Sequence, residues 1–248
     1  MISPIALSVG PIDIYWYGLV YALGFLFTYW FVRTQSNFIG AKKETLENIL
    51  FYGMLFGLLG GRLGHILFYN LDYFLANPLA IIRVDQGGMS IHGGIFGGAV
   101  AIIYACRHYR VPVLKLLDVL VIPLTLVMAF GRITNYINQE LVGKVTSSSF
   151  GVTFPLVDDQ LRHPSQLYES AKNFFIFQVL LFLYVFKSLK PGVLTAWFLI
   201  LYNGLRFLVN FTREPEVWVG PIGMGQLLSL LFMVVGLIFL WQLHSKKN

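Results

Sequence analysis

Apolar residues along this chain gather into seven runs of about 20 residues, separated by short segments rich in Pro, Gly, Asn and charge. The runs cover residues 14–33, 47–69, 89–106, 116–139, 166–186, 193–211 and 222–243. Each is about the 17 to 25 residues that a helix needs to cross roughly 30 Å of hydrocarbon. Breakers stand between them: Gly40 to Lys43, Asn77-Pro78, Gly87-Gly88, Pro112, Gly143 through Pro164, Pro191-Gly192 and Pro215 through Pro221. No internal repeat is visible. The pattern predicts an all-α, polytopic integral membrane protein of about seven transmembrane helices, with residues 1–248 forming a single transmembrane domain.

Composition agrees with this pattern. Of 248 residues, 56% are hydrophobic and 12% charged, against roughly 25% charged in a soluble domain. The net charge of +6 is spread in pairs between apolar runs instead of forming one stripe, so no nucleic acid is expected. The basic residues read as topology signals. One set of alternate loops holds Arg33, Lys42, Lys43, Arg107, Arg110, Lys115, Lys187, Lys190, Lys246 and Lys247, while the other holds only Arg83, Lys144, Arg162 and Arg213. Basic loops stay cytoplasmic. The N-terminus is therefore expected outside and the C-terminus in the cytoplasm. The stretch up to Asp13 lacks a basic n-region, which predicts no cleaved signal peptide. The single cysteine, Cys106, reads as a small buried hydrophobe and allows no intramolecular disulfide or Cys-rich metal site.

Four basic residues, Arg62, Arg132, Lys172 and Arg206, lie inside the runs. On insertion scales an arginine at the centre of a span costs about 2.5 to 3.5 kcal/mol unless it is paired or hydrated, so three represent roughly 8 to 10 kcal/mol. Alternating orientation puts all three arginines in the outer half of the membrane. Tyr17, His92, Gln166 and Glu169 are expected at the same level. The polar residues also share helical faces: Asn203, Arg206, Asn210 and Arg213 on the sixth run, Arg132, Asn135 and Gln139 with Asn138 at the edge of the fourth, and Gln166, Glu169 and Asn173 on the fifth. Two readings follow. Either the stripes are interhelical glue and snorkelling, with Glu140 or Glu169 neutralising an arginine, or they line a site for an anion.

The third run opens with Gly-Gly-Met-Ser-Ile-His-Gly-Gly-Ile-Phe-Gly-Gly, residues 87 to 98. These glycines admit a backbone or a lipid headgroup, and the helix start offers free N–H groups to an anion. Gly94 and Gly98 equally fit the spacing of helix packing. His92 reads either as a general base or as a packing residue. His163 reads as orienting the turn at Pro164-Ser165, and His65 has no assigned role.

The wording and order of the motifs carry a resemblance over almost the whole chain. They are Trp16-Tyr17-Gly18, Gly60-Gly61-Arg62, Gly88 through Gly94, Gly131-Arg132-Ile133-Thr134-Asn135-Tyr136-Ile137-Asn138-Gln139-Glu140, Arg162 through Glu169, Arg206 through Pro215, and Met224-Gly225-Gln226. Together they resemble the prolipoprotein diacylglyceryl transferases, bacterial enzymes of lipoprotein maturation. The resemblance implies a seven-span inner-membrane enzyme with its site toward the outer leaflet, and no metal, nucleotide or other cofactor. It implies transfer of an sn-1,2-diacylglyceryl group from phosphatidylglycerol to the lipobox cysteine thiol of a prolipoprotein signal peptide, with release of glycerol 1-phosphate. Carried over by position, Arg132 binds phosphatidylglycerol, Arg206 is the essential arginine of the sixth span, and His92 is the motif histidine. Tyr17, Asn135, Glu140, Gly143, Tyr202 and Arg213 complete the expected substrate-binding set. The chain departs from the family at Asn210, where some relatives carry an acid, at Thr134 and Gln139, where glycines are frequent, and at Val142, which replaces a tryptophan.

Thioether formation by displacement of a phosphate ester needs a thiolate and charge stabilisation on the leaving group. A thiol with a pKa of about 8.5 is mostly protonated at neutral pH, so an imidazole is a suitable acceptor. Arginine keeps its charge in a low dielectric and matches phosphate oxygens. The headgroup and leaving-group roles are interchangeable between Arg132 and Arg206 at this level. Three rival classes compare less well. A transporter or flippase would show repeats and a midplane site. A retinal protein would carry a lysine in the last span, and an intramembrane serine protease a nucleophile motif.

Overall fold

The structure, a computed structural model, describes residues 3–10, 12–83, 87–215 and 217–245. Lys246 and Lys247 of the basic-loop count, and the segment 84–86 before the glycine-rich run, lie outside the described residues. Helices stand at all seven expected stretches. They are α1 (Trp16–Thr34), α3 (Lys43–Tyr69), α5 (Ile91–His108), α6 (Val113–Ile137), α7 (Ser165–Phe186), α8 (Val193–Val209) and α9 (Met224–Ser245), with two short helices, α2 (Ser36–Ile39) and α4 (Leu71–Ala76). Among the described residues, five segments are long and apolar enough to cross a membrane: α3, α6, α7, α8 with the 3-10 turn that extends it to Thr212, and α9. In hydrocarbon every backbone N–H and C=O must find a partner within the chain, and a helix supplies one for each.

The described residues are mostly helical, as expected of an all-α membrane protein, with short strands in the loops. Among the described residues there are three antiparallel hairpins: β1 (Ile5–Val9) with β2 (Ile12–Tyr15), β3 (Val152–Phe154) with β4 (Asp158–Arg162), and β5 (Trp218–Val219) with β6 (Ile222–Gly223). Runs of two to five residues are too short to register in a pattern dominated by 20-residue spans. The turn at Gly220, with φ of 62°, marks one of them locally.

The chain divides into two compact units, Tyr29–Leu116 and Met1–Thr28 with Leu117–Asn248, whose limits fall within α1 and α6. In the unit Tyr29–Leu116, α3 and α5 pack along a glycine seam. A Cβ on Gly60 would stand 2.5 Å from the Gly93 carbonyl oxygen, and one on Gly97 2.3 Å from that of Phe56. The glycine run of α5 is therefore occupied by its neighbour helix. Ser90 joins the seam: its N–H donates to the Gly61 carbonyl at 2.8 Å, and its hydroxyl accepts from Gly93 N at 3.3 Å as the helix cap.

In the other unit, α8 packs between α7 and α9. Its N-terminus has only Gly192 as cap residue, with no side chain to offer. Asp118 of α6, 3% exposed, performs the capping from outside. Its carboxylate accepts from Gly192 N at 2.6 Å, Thr195 N at 2.8 Å and the Thr195 hydroxyl at 2.6 Å. A buried carboxylate at a helix N-terminus meets both the unpaired N–H groups and the positive end of the helix dipole.

Candidate active site

The unit built from Met1–Thr28 and Leu117–Asn248 brings its polar residues together where α1 begins, α6 ends, α7 begins and α8 ends. α6 stops at Ile137 because the backbone then turns left-handed at Gln139, φ 58°, and again at Leu141, φ 54°. Such φ values disfavour residues with a Cβ, so Gln139 occupies a conformation that suits glycine better. Here the Gln139 side chain compensates by accepting from Leu156 N at 2.9 Å. The double turn carries Glu140 back over its own helix: Glu140 N donates to the Asn135 carbonyl at 2.9 Å.

Around the Glu140 carboxylate the fourth-span motif closes on the first span. Tyr17 donates to Oε2 at 3.2 Å and Asn135 Nδ2 to the same oxygen at 3.0 Å, while Asn138 Nδ2 reaches Oε1 at 3.3 Å. Asn135 Nδ2 also donates to the Tyr17 hydroxyl. Arg132 NH1 donates to Asn135 Oδ1 at 3.3 Å, so this arginine is fixed from the same hub.

A second chain of contacts starts at Arg132 and runs across α7 to α8. Arg132 Nε lies 3.9 Å from Glu169 Oε2, and Lys172 Nζ lies 2.8 Å from the same oxygen. The ammonium of Lys172 sits 3.9 Å from the centre of the Tyr202 ring, and the Tyr202 hydroxyl accepts from Arg206 NH1 at 3.2 Å. Glu169 and Lys172 side chains are 1% and 3% exposed. The cluster holds three cations, Arg132, Lys172 and Arg206, against two carboxylates, Glu140 and Glu169. One positive charge is left over, enough to favour an anionic group. The reading of Glu169 as a neutralising partner is thus half met: its close partner is Lys172.

Gly143 belongs to the same end. Its N–H donates to the His163 carbonyl at 3.0 Å, and it forms a bridge with Arg213. A Cβ there would stand 2.5 Å from the His163 carbonyl oxygen and 2.7 Å from that of Thr212, so only glycine fits. Arg162 locks this crossing by donating to the Gly143 carbonyl at 3.1 Å while pairing with Asp158 at 2.5 Å. Hydrogen bonding from Arg162 holds the Asp158 carboxyl below the usual carboxylate range. The stabilisation is therefore complete above about pH 4 and lost as pH falls through the lowered value. Amides of β3 and β4 are expected to lose hydrogen-exchange protection as pH falls below the usual carboxylate range, after correction for the intrinsic rate. D158N should abolish that dependence, and equal protection below and above that range in the unsubstituted chain would contradict it.

Arg62 and His92 belong to the unit Tyr29–Leu116. Arg62, 7% exposed, spends all five N–H groups on backbone carbonyls: Nε on Ile81 at 2.9 Å, NH1 on Gly87 at 2.6 Å and Gly88 at 3.0 Å, NH2 on Ala80 at 2.6 Å and Arg83 at 3.0 Å. It also lies over the Phe74 ring at 5.1 Å. No donor is left for an anion. His65 packs beneath the same loop, stacked on Tyr69, with its Nε2 3.2 Å from Asn70 Nδ2. His92 is exposed in the first turn of α5 and, among the described residues, has no hydrogen-bond partner.

Sequence reasoning passed over Asp118 and gave Lys172 no role. The first looks like an ordinary charge near a span end, and its partners lie 74 and 77 residues away. The second could have been paired with Glu169 from their i, i+3 spacing.

Fold and site together define a class: a helical membrane protein with a cation-rich polar cluster buried where its helix ends meet. Comparison with known sequences narrows it. Residues 4–242 match the family model described as prolipoprotein diacylglyceryl transferase. The chain is 38% identical to the phosphatidylglycerol–prolipoprotein diacylglyceryl transferase of Ehrlichia canis, the match covering 97% of this chain and 95% of that one. It is 41% identical to the protein of that name from Nitrosomonas europaea over 96% of this chain and 89% of the relative, and 36% identical to that from Aeromonas hydrophila over 100% and 92%. The chain belongs to the prolipoprotein diacylglyceryl transferase family.

Proposed function

We propose that this chain is a transferase that moves the sn-1,2-diacylglyceryl group of phosphatidylglycerol onto the lipobox cysteine of a prolipoprotein. The thiolate sulfur attacks the glycerol carbon that bears the phosphate, the C–S bond forms as the C–O bond breaks, and glycerol 1-phosphate leaves. The thiol proton passes to a base. The observation that carries this reading is the line Arg132, Glu169, Lys172, Tyr202, Arg206, buried at Glu169 and Lys172 and half-buried at the arginines, which leaves guanidinium N–H groups of both arginines for a phosphate. Arg132 holds the headgroup and Arg206 balances the charge on the departing phosphate. Tyr17, Asn135 and Glu140 orient Arg132, Gly143 and Arg213 shape the adjoining loop crossing, and Tyr202 steadies Arg206.

The whole chain acts as one enzyme domain with seven spans in the bacterial inner membrane, its N-terminus and site facing outward and its C-terminus cytoplasmic. The skew of basic residues supports that orientation, and α1 and α5, of 19 and 18 residues, supply the two spans beyond the five longest apolar segments. Purified protein given phosphatidylglycerol and a lipobox peptide should yield a peptide heavier by one diacylglyceryl group, read by mass spectrometry. A folded protein that moves lipid or solute and leaves the peptide unmodified would favour a transporter instead.

His92 is assigned as the thiol base, on its motif and on an imidazole that is exposed and, among the described residues, without a hydrogen-bond partner. His92→Gln should lower turnover about 10²-fold or more at pH 7, in line with general-base catalysis. Raising the pH toward 9 should restore part of the loss, because the substrate thiol then ionises unaided. Full activity of the variant at pH 7 would move the base elsewhere, His163 being next.

A further inference from the structure

We infer that Lys172 is a positioning residue for the phosphate site, holding the Glu169 carboxylate away from Arg132. The inference rests on the reading of Arg132 as the headgroup ligand. Lys172 and Arg132 address one and the same oxygen, Glu169 Oε2, from 2.8 Å and 3.9 Å. The shorter distance is a charge-assisted hydrogen bond and the longer is not. Glu169 Oε1 is buried and, among the described residues, without a partner. Both carboxylate oxygens would thus be open to a guanidinium fork if the ammonium were removed. A carboxylate 1% exposed that loses its close cation must find another, and Arg132 is already beside it. Bidentate capture by Glu169 would consume the donors that a phosphate needs.

The same ammonium rests on the Tyr202 ring at 3.9 Å, and Arg206 bonds the hydroxyl of that ring at 3.2 Å. Lys172 therefore stands between the two arginines, facing a carboxylate on one side and an aromatic face on the other. It contacts each arginine through an intermediary, and its effect on the lipid is indirect. The reaction needs an arginine that is held near a carboxylate for orientation and yet free to bind. Lys172 allows both, by satisfying Glu169 first.

A double-mutant cycle separates this role from simple packing. With phosphatidylglycerol varied at saturating lipobox peptide, K172M should raise KM for the lipid about tenfold and change kcat much less. In the E169Q background the same replacement should leave KM within about threefold, because no carboxylate remains to capture Arg132. K172R should keep a KM close to that of the unsubstituted enzyme. If K172M alone fails to fold, E169Q compared with E169Q/K172M carries the test: equal KM values support the inference, and a higher value in the double variant overturns it. A K172M enzyme with unchanged KM, or a loss that E169Q fails to relieve, overturns it as well. R132A in the same assay distinguishes the two levels. An unchanged lipid KM there removes the headgroup reading itself, whereas a raised KM for R132A with a normal one for K172M removes only the role of Lys172.

Discussion

Arg206→Ala is expected to lower kcat for diacylglyceryl transfer by about 10² to 10³, the usual effect of removing one preorganised donor to a developing negative charge. Arg206 makes one hydrogen bond within the described residues, NH1 to the Tyr202 hydroxyl at 3.2 Å, so its other N–H groups remain for a departing phosphate. Its loss should appear in single-turnover rates, with the apparent affinity for phosphatidylglycerol changed far less. Arg206→Lys should recover only a small part, because an ammonium retains the charge without the planar fork. A single-turnover rate within threefold of the unsubstituted enzyme would remove Arg206 from the chemistry.

Arg62→Ala is expected to act on stability, with a cost of about 3 to 5 kcal/mol, the range for breaking a buried, charge-assisted hydrogen-bond network. Five carbonyls, those of Ala80, Ile81, Arg83, Gly87 and Gly88, lose their donor together. Denaturant unfolding in detergent should show the loss, and proteolysis should cut first between α4 and α5. Arg62→Lys should not rescue, since three donors on one nitrogen cannot reach carbonyls fixed around a planar fork. Unfolding at an unchanged denaturant concentration would show that the loop holds itself without the arginine.

Set beside Arg132, Arg62 also shows how far the sequence could be read. Arg62 and Arg132 each follow a glycine in an apolar run, and both carry the same insertion penalty, so a hydrophobicity argument treats them alike. Only the fold reveals that one spends every donor on backbone and the other stands among side chains with donors to spare. The helices themselves were legible because an uncharged run of 20 residues has few alternatives in a membrane protein. Their predicted ends agree with the structure to within four residues, the largest difference being the start of α3 at Lys43.

What lay outside that logic was set by contacts distant in sequence or by very short elements. Asp118 caps a helix that begins 74 residues later. The hairpins contain too few residues to show a period. The glycines of α5 were compatible with either a headgroup or a helix, and the carbonyl of Gly60 against Gly93 decides for the helix. At Gln139 no pattern carries the structural meaning, a left-handed residue compensated by a side-chain bond to Leu156.

If the half-buried arginines of α6 and α8 hold a lipid phosphate, Arg132 is the residue at which this shows most sharply. Binding of phosphatidylglycerol to unsubstituted and Arg132→Ala protein, each verified as folded and reconstituted in a lipid background of neutral headgroups, addresses it most directly. The variant should lose about 10-fold or more in affinity, the scale of one charge-assisted contact to phosphate. Equal affinity in the two proteins would contradict it.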